Sequence, residues 1–270
     1  MVSQRQLFFQ HLAQTSPQPM ALEITSADGI YLTDISAKRY IDLVSGVCTS
    51  NVGHGNKTVI DAVKSQSEKY MHLMVYGEFI QSPQTCYAEA LTRSLPEGLD
   101  SVYFVKSGSE AIEGAIKLAK RFTGRFEVVS FFNAYHGSTQ GALSAMGNER
   151  LKKPFRPLIP GHAFIEYNRP GQLKAISEKT ACVIVEPVQA EAGVVVPDDG
   201  FLQQIYQRCI EKGALLIFDE IQTGLAAPAA FMQWNIGMLR LISLHWQKVW
   251  EGVCHLVLLL LQKRLCRVYL

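Results

Sequence analysis

Short apolar runs separated by polar turns dominate the first 224 positions. Between 22 and 44 the chain alternates in pieces, ALEITS, GIYLTD and RYIDLV, with glycine and aspartate between them, a pattern that predicts a small antiparallel element. Residues 57–70 and 85–95 have helical spacing. From there strands and helices alternate. VYFVK (102–106) is an apolar strand, and 109–122 is a helix with Ile112, Ala115, Ile116, Ala119 and Phe122 on one side. EVVSFF (127–132) is a strand and 141–146 a short helix. ACVIVEP (181–187) is a strand ended by proline, 201–212 a helix, and ALLIFDE (214–220) a strand. Near-continuous apolar strands alternating with helices predict an α/β fold, a mostly parallel sheet with helices on both faces.

Past Leu225 the pattern changes. AAPAAFMQWNIGMLRLISLHWQKVW (226–250) reads as helical without a clear polar face. GVCHLVLLLL (252–261) is apolar but shorter than the roughly 20 residues that span a bilayer. Of the 24 acidic residues all but Glu251 precede position 225, while all three tryptophans, Trp234, Trp246 and Trp250, follow it. The chain therefore divides into an N-terminal segment with short antiparallel strands (1–50), a partial large domain (51–224) and a tail of different character (225–270).

A length of 270 residues allows one large domain or two small ones with a sizeable core. A net charge of +2 gives no bias toward nucleic acid or an anionic membrane. Six cysteines lie far apart with no CxxC pair, so neither a disulfide framework nor a metal site is expected, and reduced thiols in a cytoplasmic setting are. The N-terminus lacks the long apolar stretch of a signal peptide.

In open parallel sheets, ligands sit beyond the carboxyl ends of the strands. Four motifs fall at such ends. VKSGSEAIEG (105–114) leaves a strand through a Ser-Gly-Ser turn and enters a helix, whose first N–H groups and dipole suit a phosphate. The same residues form a capping-box pattern, Ser107 with Glu110, and taken alone they do not decide between the two. NAYHGSTQG (133–141) places Tyr135 and His136 after the next strand, where an aromatic can lie against a planar ligand or pack under a loop. VIVEPVQAEAG (183–193) brings Glu186 and Glu191 to the same edge. FDEIQTG (218–224) places Asp219 directly after four apolar residues. A carboxylate there is costly unless it meets a cation or several donors; a protonated heterocyclic nitrogen is one such partner, and a helix N-cap is the plainer use.

Together, in this order, the motifs VGHGN (52–56), SGSEA (107–111), AYHGST (134–139), VEPVQAEAG (185–193) and LLIFDEIQTG (215–224) resemble the class III (omega-amino acid) pyridoxal-phosphate-dependent aminotransferases, of the acetylornithine, ornithine and 4-aminobutyrate type. The resemblance covers roughly residues 20–224. It implies the large domain of the fold type I PLP-dependent transferases, here incomplete, with pyridoxal 5′-phosphate as cofactor. It also implies amino acid or omega-amine and 2-oxo acid substrates, and a homodimer. On matching positions it implies that Gly108 and Ser109 hold the phosphate, Tyr135 stacks on the pyridine ring with His136 beside it, Asp219 pairs with the pyridine nitrogen, and Gln222 approaches the ring hydroxyl. Glu191 matches the pocket glutamate that pairs with a gating arginine, although the family more often has GEGG where this chain has AEAG.

After TG the family continues with GRTG and reaches the lysine that bonds the cofactor, followed by a run of glycines. Here GLAAPAAF follows, and Lys248 stands 29 residues after Asp219 in unrelated surroundings, WQKVWEG. Joining each codon's third base to the next codon's first two permits GRTGSLYAMEYWNAP from Ala226 and LAKGMGGGMP from His245. Two stretches agree in one displaced frame, so a nucleotide is expected to be missing near codon 224, with residues 225–270 out of frame. No catalytic residue is then expected, transaminase activity should be negligible, and the sheet should have a bare edge. The competing reading is a non-catalytic binding or regulatory relative that kept the PLP fold and gained a new tail. A nucleotide-binding domain and an α/β-hydrolase are disfavoured, because GxGxxG, GxxxxGK[ST] and GxSxG are all absent.

Overall fold

The computed structural model describes residues 2–74, 77–95 and 98–224, together with the backbone of strands at 241–247 and 256–261. The chain divides into two compact units, Met1–His72 and Leu73–Leu270.

The first unit holds α1 (Gln4–His11), capped by a reciprocal Ser3–Gln6 box, and a three-stranded antiparallel sheet of β1 (Ile24–Asp28), β2 (Tyr31–Asp34) and β3 (Arg39–Ile41). The β2–β3 turn is closed by Asp34, whose carboxylate accepts from the Ser36 and Lys38 N–H groups and from the Tyr40 hydroxyl. A tight turn, α2 (Ser45–Cys48), follows with positive φ throughout, a conformation that disfavours residues with a Cβ. Asp42 steadies its start by accepting from the Ser45 N–H and lies 2.8 Å from His54. The unit extends past residue 50, the boundary expected from sequence, because Gly29 and His54 form a β-bridge that ties the VGHGN stretch to the sheet. Helix α3 (Lys57–Lys69) is N-capped by Asn56.

The second unit is built on a seven-stranded sheet. Its elements are α4 (Ser82–Arg93), β4 (Ser101–Val105), α5 (Gly108–Thr123), β5 (Glu127–Phe131), α6 (Gln140–Ala145), α7 (Glu149–Lys152), β6 (His162–Ile165), β7 (Thr180–Val185), α8 (Phe201–Lys212), β8 (Leu215–Glu220), β9 (Leu241–Gln247) and β10 (Leu256–Leu261). The strand order is β4-β10-β9-β8-β7-β5-β6. Strands β6, β5, β7, β8 and β9 run parallel, and β10 is antiparallel to both β9 and β4. Antiparallel pairing on both sides of β10 makes β4 parallel to the rest.

Strand alternation builds two cores from one sheet. Val183, Val185, Leu216 and Phe218 face one side and pack with Phe201, Ile205 and Cys209 of α8. Cys182, Ile184, Leu215 and Ile217 face the other and pack with Ala111, Ile112, Ala115 and Ala119 of α5. Both faces are covered, as the unbroken apolar strands require. Helix α5 ends at Gly124, whose φ of 69° provides the left-handed cap.

Two expectations for the tail are corrected. Residues 241–247, read from sequence as part of a helix, form strand β9, and the sheet edge expected to be bare beyond β8 is paired with it, from Leu216↔Leu241 to Glu220↔His245. Periodicity does not separate a short apolar strand from a buried helix segment, and LISLHWQ and LVLLLL supply two extended apolar runs. The rest of 225–270 lies outside the described residues.

Glu113 of α5 reaches across to cap α6, accepting from the Thr139 hydroxyl at 2.7 Å and from the Gly141 and Ala142 N–H groups at 2.7 and 3.2 Å. A Cβ at Gly141 would lie 2.1 Å from the Glu113 carboxylate, so glycine leaves room for that carboxylate to sit in its capping position. Glu113→Ala is expected to lower stability by about 1–2 kcal/mol, the worth of a lost cap, read as a shift in the urea midpoint at constant slope.

Candidate functional site

The carboxyl ends of β4, β5, β7 and β8 deliver the four sequence motifs to one edge of the parallel sheet. At the end of β4 the chain turns into α5 at Ser107, the N-cap, whose Oγ accepts from the Glu110 N–H at 3.2 Å. Glu110 in turn accepts from the Lys106 N–H at 2.7 Å. Only half of the capping box is therefore formed, because Glu110 accepts from the N–H before Ser107 rather than from that of Ser107 itself. Gly108 and Ser109 occupy the first turn, where backbone N–H groups have no intrahelical acceptor and the helix dipole is positive.

The loop after β5 closes over this turn. Ser109 Oγ accepts from the Ser138 N–H at 3.2 Å. Gly137, at a φ of 116°, makes the approach possible, since a Cβ there would lie 2.1 Å from Ser109 Oγ. Gly108 has the same role toward the β8 side, where a Cβ would meet Ile221 at 3.0 Å.

His136 and Asp219, 83 residues apart, meet beneath that loop. Nδ1 of His136 lies 2.7 Å from Oδ2 of Asp219, and the two side chains are 0% and 4% exposed. The other Asp219 oxygen accepts from the Ile221 N–H at 3.1 Å, a local turn cap that holds the carboxylate's orientation. Burial pushes the imidazole pKa down, but the bond to Asp219 and the charges of Asp219 and Glu186 outweigh it, and the net shift is upward. His136 Nε2 is buried with no protein partner among the described residues.

Tyr135 is 41% exposed, and among the described residues no aromatic ring packs against it. Its backbone N–H donates to Glu186 Oε2 at 3.1 Å. Glu186, directly after β7, is 6% exposed, and burial pushes its carboxyl up to about 7, with Asp219 adding to the rise and His136 opposing it. Tyr167 fixes the backbone here by donating to the carbonyl oxygens of Glu186 and Pro187 at 3.0 and 3.1 Å. Sequence reading placed Glu186 at this edge but gave it no role; a carboxylate after a strand looks the same whether it is solvated or buried. Its one signal was the unbroken apolar run before it.

Gln222 lies half-buried in the turn after β8, which closes through the Gly224 N–H to the Glu220 carbonyl at 2.8 Å. Glu191 is exposed in the loop between the bridged residues Gln189 and Val195. The alanines of AEAG cost that loop nothing in backbone strain, because its left-handed positions are Gly193 and Val194. Gly108, Ser109, Tyr135, His136, Asp219 and Gln222 thus share one edge, whereas Glu191 faces solvent. Lys248 lies outside the described residues, one position beyond the end of β9.

The donor set fits a phosphorylated pyridine. First-turn N–H groups and Ser109 suit the phosphate, an exposed tyrosine ring suits a planar face, and a desolvated carboxylate suits a ring N–H⁺. Among the described residues no helix is long and apolar enough to cross a membrane.

Comparison with known proteins identifies the family. Residues 12–232 match the family described as aminotransferase class-III. The chain is 40% identical over 224 residues to an acetylornithine aminotransferase of Methanopyrus kandleri, covering 82% of this chain and 56% of that protein. It is 38% identical over 203 residues to a [LysW]-aminoadipate semialdehyde/glutamate semialdehyde transaminase of Sulfurisphaera tokodaii, covering 75% and 52%. It thus spans little more than half the length of these relatives. Among solved structures, adenosylmethionine-8-amino-7-oxononanoate aminotransferase from Methanocaldococcus jannaschii superposes with a TM-score of 0.90 at 26% identity, over 98% of this chain and 66% of that one. The breadth of the family match, with the fold beneath it, shows that this chain belongs to the class III aminotransferases.

Proposed function

We propose that the carboxyl edge of this sheet binds pyridoxal 5′-phosphate, and that the chain is the cofactor-binding part of an enzyme that moves an amino group from an amino acid or omega-amine to a 2-oxo acid. The observation that carries the reading is the buried His136–Asp219 pair set between a helix N-terminus and an exposed tyrosine. When bound, the cofactor supplies an electron sink for the carbon that loses its proton. The residues of this chain prepare that chemistry. Gly108 and Ser109 hold the phosphate by first-turn N–H groups and hydroxyl. Tyr135 packs on the ring face. Asp219, its orientation fixed by His136 and the Ile221 N–H, holds a proton on the ring nitrogen. Gln222 reaches the ring hydroxyl from the turn after β8, and Glu191 belongs to the substrate pocket. A cytoplasmic setting fits the four free cysteines of the described residues, Cys48, Cys86, Cys182 and Cys209. We assign the assembly as a homodimer, by family.

As translated, the chain has negligible transaminase activity in this reading. The support is the displaced-frame match across 226–254, which leaves Lys248 without the glycine-rich surroundings of a cofactor lysine. Without that amine there is no covalent anchor and no base to carry the substrate's proton. The second reading, a non-catalytic relative with a selected tail, draws on one observation: β9 and β10 complete the sheet between β8 and β4. The coding DNA around codon 224 separates the two.

Two measurements test the site. Asp219→Asn removes the charge that holds the ring nitrogen's proton, and is expected to weaken pyridoxal 5′-phosphate binding about 10–100-fold by absorbance titration; unchanged affinity would remove Asp219 from the site. Borohydride reduction of the chain with pyridoxal 5′-phosphate, followed by peptide mass spectrometry, is expected to leave Lys248 unmodified. A phosphopyridoxyl group found on it at stoichiometric yield overturns the claim of inactivity.

A further inference from the structure

We propose that Glu186 is a positioning residue that balances the charge of the ring site: protonated in the unliganded chain, it gives its proton to solvent when a cationic ring settles beside Asp219. The inference rests on the cofactor reading above and goes beyond it, because Glu186 touches neither the phosphate seat nor the ring nitrogen's partner by hydrogen bond.

Three observations carry it. Glu186 is nearly sealed from water, and its Oε2 accepts the Tyr135 N–H at 3.1 Å, so it fixes the backbone of the residue whose ring is offered to the ligand. Tyr167 anchors the backbone of Glu186 itself by donating to the Glu186 and Pro187 carbonyls. The charged and titratable groups whose fields reach the carboxyl are His136, Asp219 and Tyr167. His136 and Asp219 already satisfy one another at 2.7 Å, which leaves no cation among the described residues within hydrogen-bond reach of the Glu186 carboxyl. An ionised Glu186 would therefore add an unmatched negative charge to a dry site, and burial opposes that.

A protonated ring nitrogen changes the balance. It adds one positive charge next to the His136–Asp219 pair, and ionised Glu186 then supplies the matching negative charge. The step breaks only the Glu186 O–H bond; the proton goes to water and nothing is oxidised or reduced. Ligand binding that favours the ionised carboxyl must strengthen as pH rises through the carboxyl's folded value, near 7. Stability of the unliganded chain runs the other way. Its carboxyl binds a proton more tightly when folded than when unfolded, so the stabilisation present below the unfolded value of 4.5 is lost as pH climbs toward about 7.

The test compares the full chain with Glu186→Gln, which keeps the shape and an acceptor for the Tyr135 N–H but carries no charge. The probe is pyridoxamine 5′-phosphate, which binds without needing a lysine. The ligand's own titration cancels in the ratio of the two affinities. That ratio, wild type over Glu186→Gln, is expected to grow about tenfold between about pH 5.5 and pH 8, one unit of linked ionisation. Glu186→Asp, with a charge on a shorter stem, is expected to regain part of the pH dependence. A potentiometric difference titration without ligand is expected to show wild type taking up close to one more proton than Glu186→Gln between about pH 8 and pH 5.5. If wild type binds the probe but the ratio is flat with pH, the charge-balancing role is overturned while the cofactor site stands. If wild type does not bind the probe, the cofactor reading falls and this inference with it. If Glu186→Gln fails to fold, the same difference titration of wild type against Glu186→Met, which fills the space without a titrating group, decides: absence of the extra proton near neutrality overturns the proposal.

Discussion

A carboxylate buried at the end of an apolar strand has to find a cation, and the rest of the site is arranged around how Asp219 finds one. Strand β8 is buried along its whole length, so Asp219 and Glu220 are carried inside by the apolar residues before them. An isolated charge there would cost several kcal/mol. His136 meets it at 2.7 Å, and the Ile221 N–H takes the second oxygen. To deliver His136, the loop after β5 must pass over the start of α5. That passage needs Gly137, where any side chain would collide with Ser109. The glycine of AYHGST is thus tied to the aspartate of FDEIQTG through a chain of steric and electrostatic necessities.

The sheet makes those necessities compatible. Because β7 and β8 bury both faces, α5 and α8 pack on opposite sides, and the strand ends are left for polar residues alone. Parallel direction then puts every strand-to-helix turn on the same edge, so Gly108, Ser109, Tyr135, His136, Glu186 and Asp219 gather from positions spread over more than a hundred residues. Their number near one point is also why the local groups interact: an imidazole whose pKa is raised, against its burial, by Asp219 and Glu186, and a carboxyl raised by burial.

Much of this was legible in the sequence where a signal was long or locally complete. The helix 201–212 coincides with α8, and the strands at 102–106, 127–132, 181–187 and 214–220 fall within two residues of β4, β5, β7 and β8. Strand β6 was missed: four residues, HAFI, carry too few repeats to show a period. Helix α1 was missed for the opposite reason, since its apolar residues do not form a face and none is buried. Motif positions at strand ends were readable, but the bond between His136 and Asp219 was not, because only strand pairing through β7 brings β5 and β8 together. The same holds for Glu186. The tail deceived in the other direction, its apolar run suiting helix and strand alike.

Within the sheet, strand β4 is joined to β8 only through β10 and β9, which places the tail between the Ser107 turn and the Asp219 turn. Helix packing joins the two turns a second way. Helix α5 starts at the Ser107 turn and lies directly on β7 and β8, with Ala111, Ile112 and Ala115 against Cys182, Ile184, Leu215 and Ile217. Gly108 also closes onto Ile221, and Ser109 onto the Gly137–Ser138 loop. These contacts use only residues before 225. The Ser107 turn and the Asp219 turn are therefore tied to each other through α5 by residues before 225, although α5 also lies against β9 and β10. In the reading proposed above, a change of frame after Gly224 abolishes chemistry and still leaves the turns that would receive the cofactor.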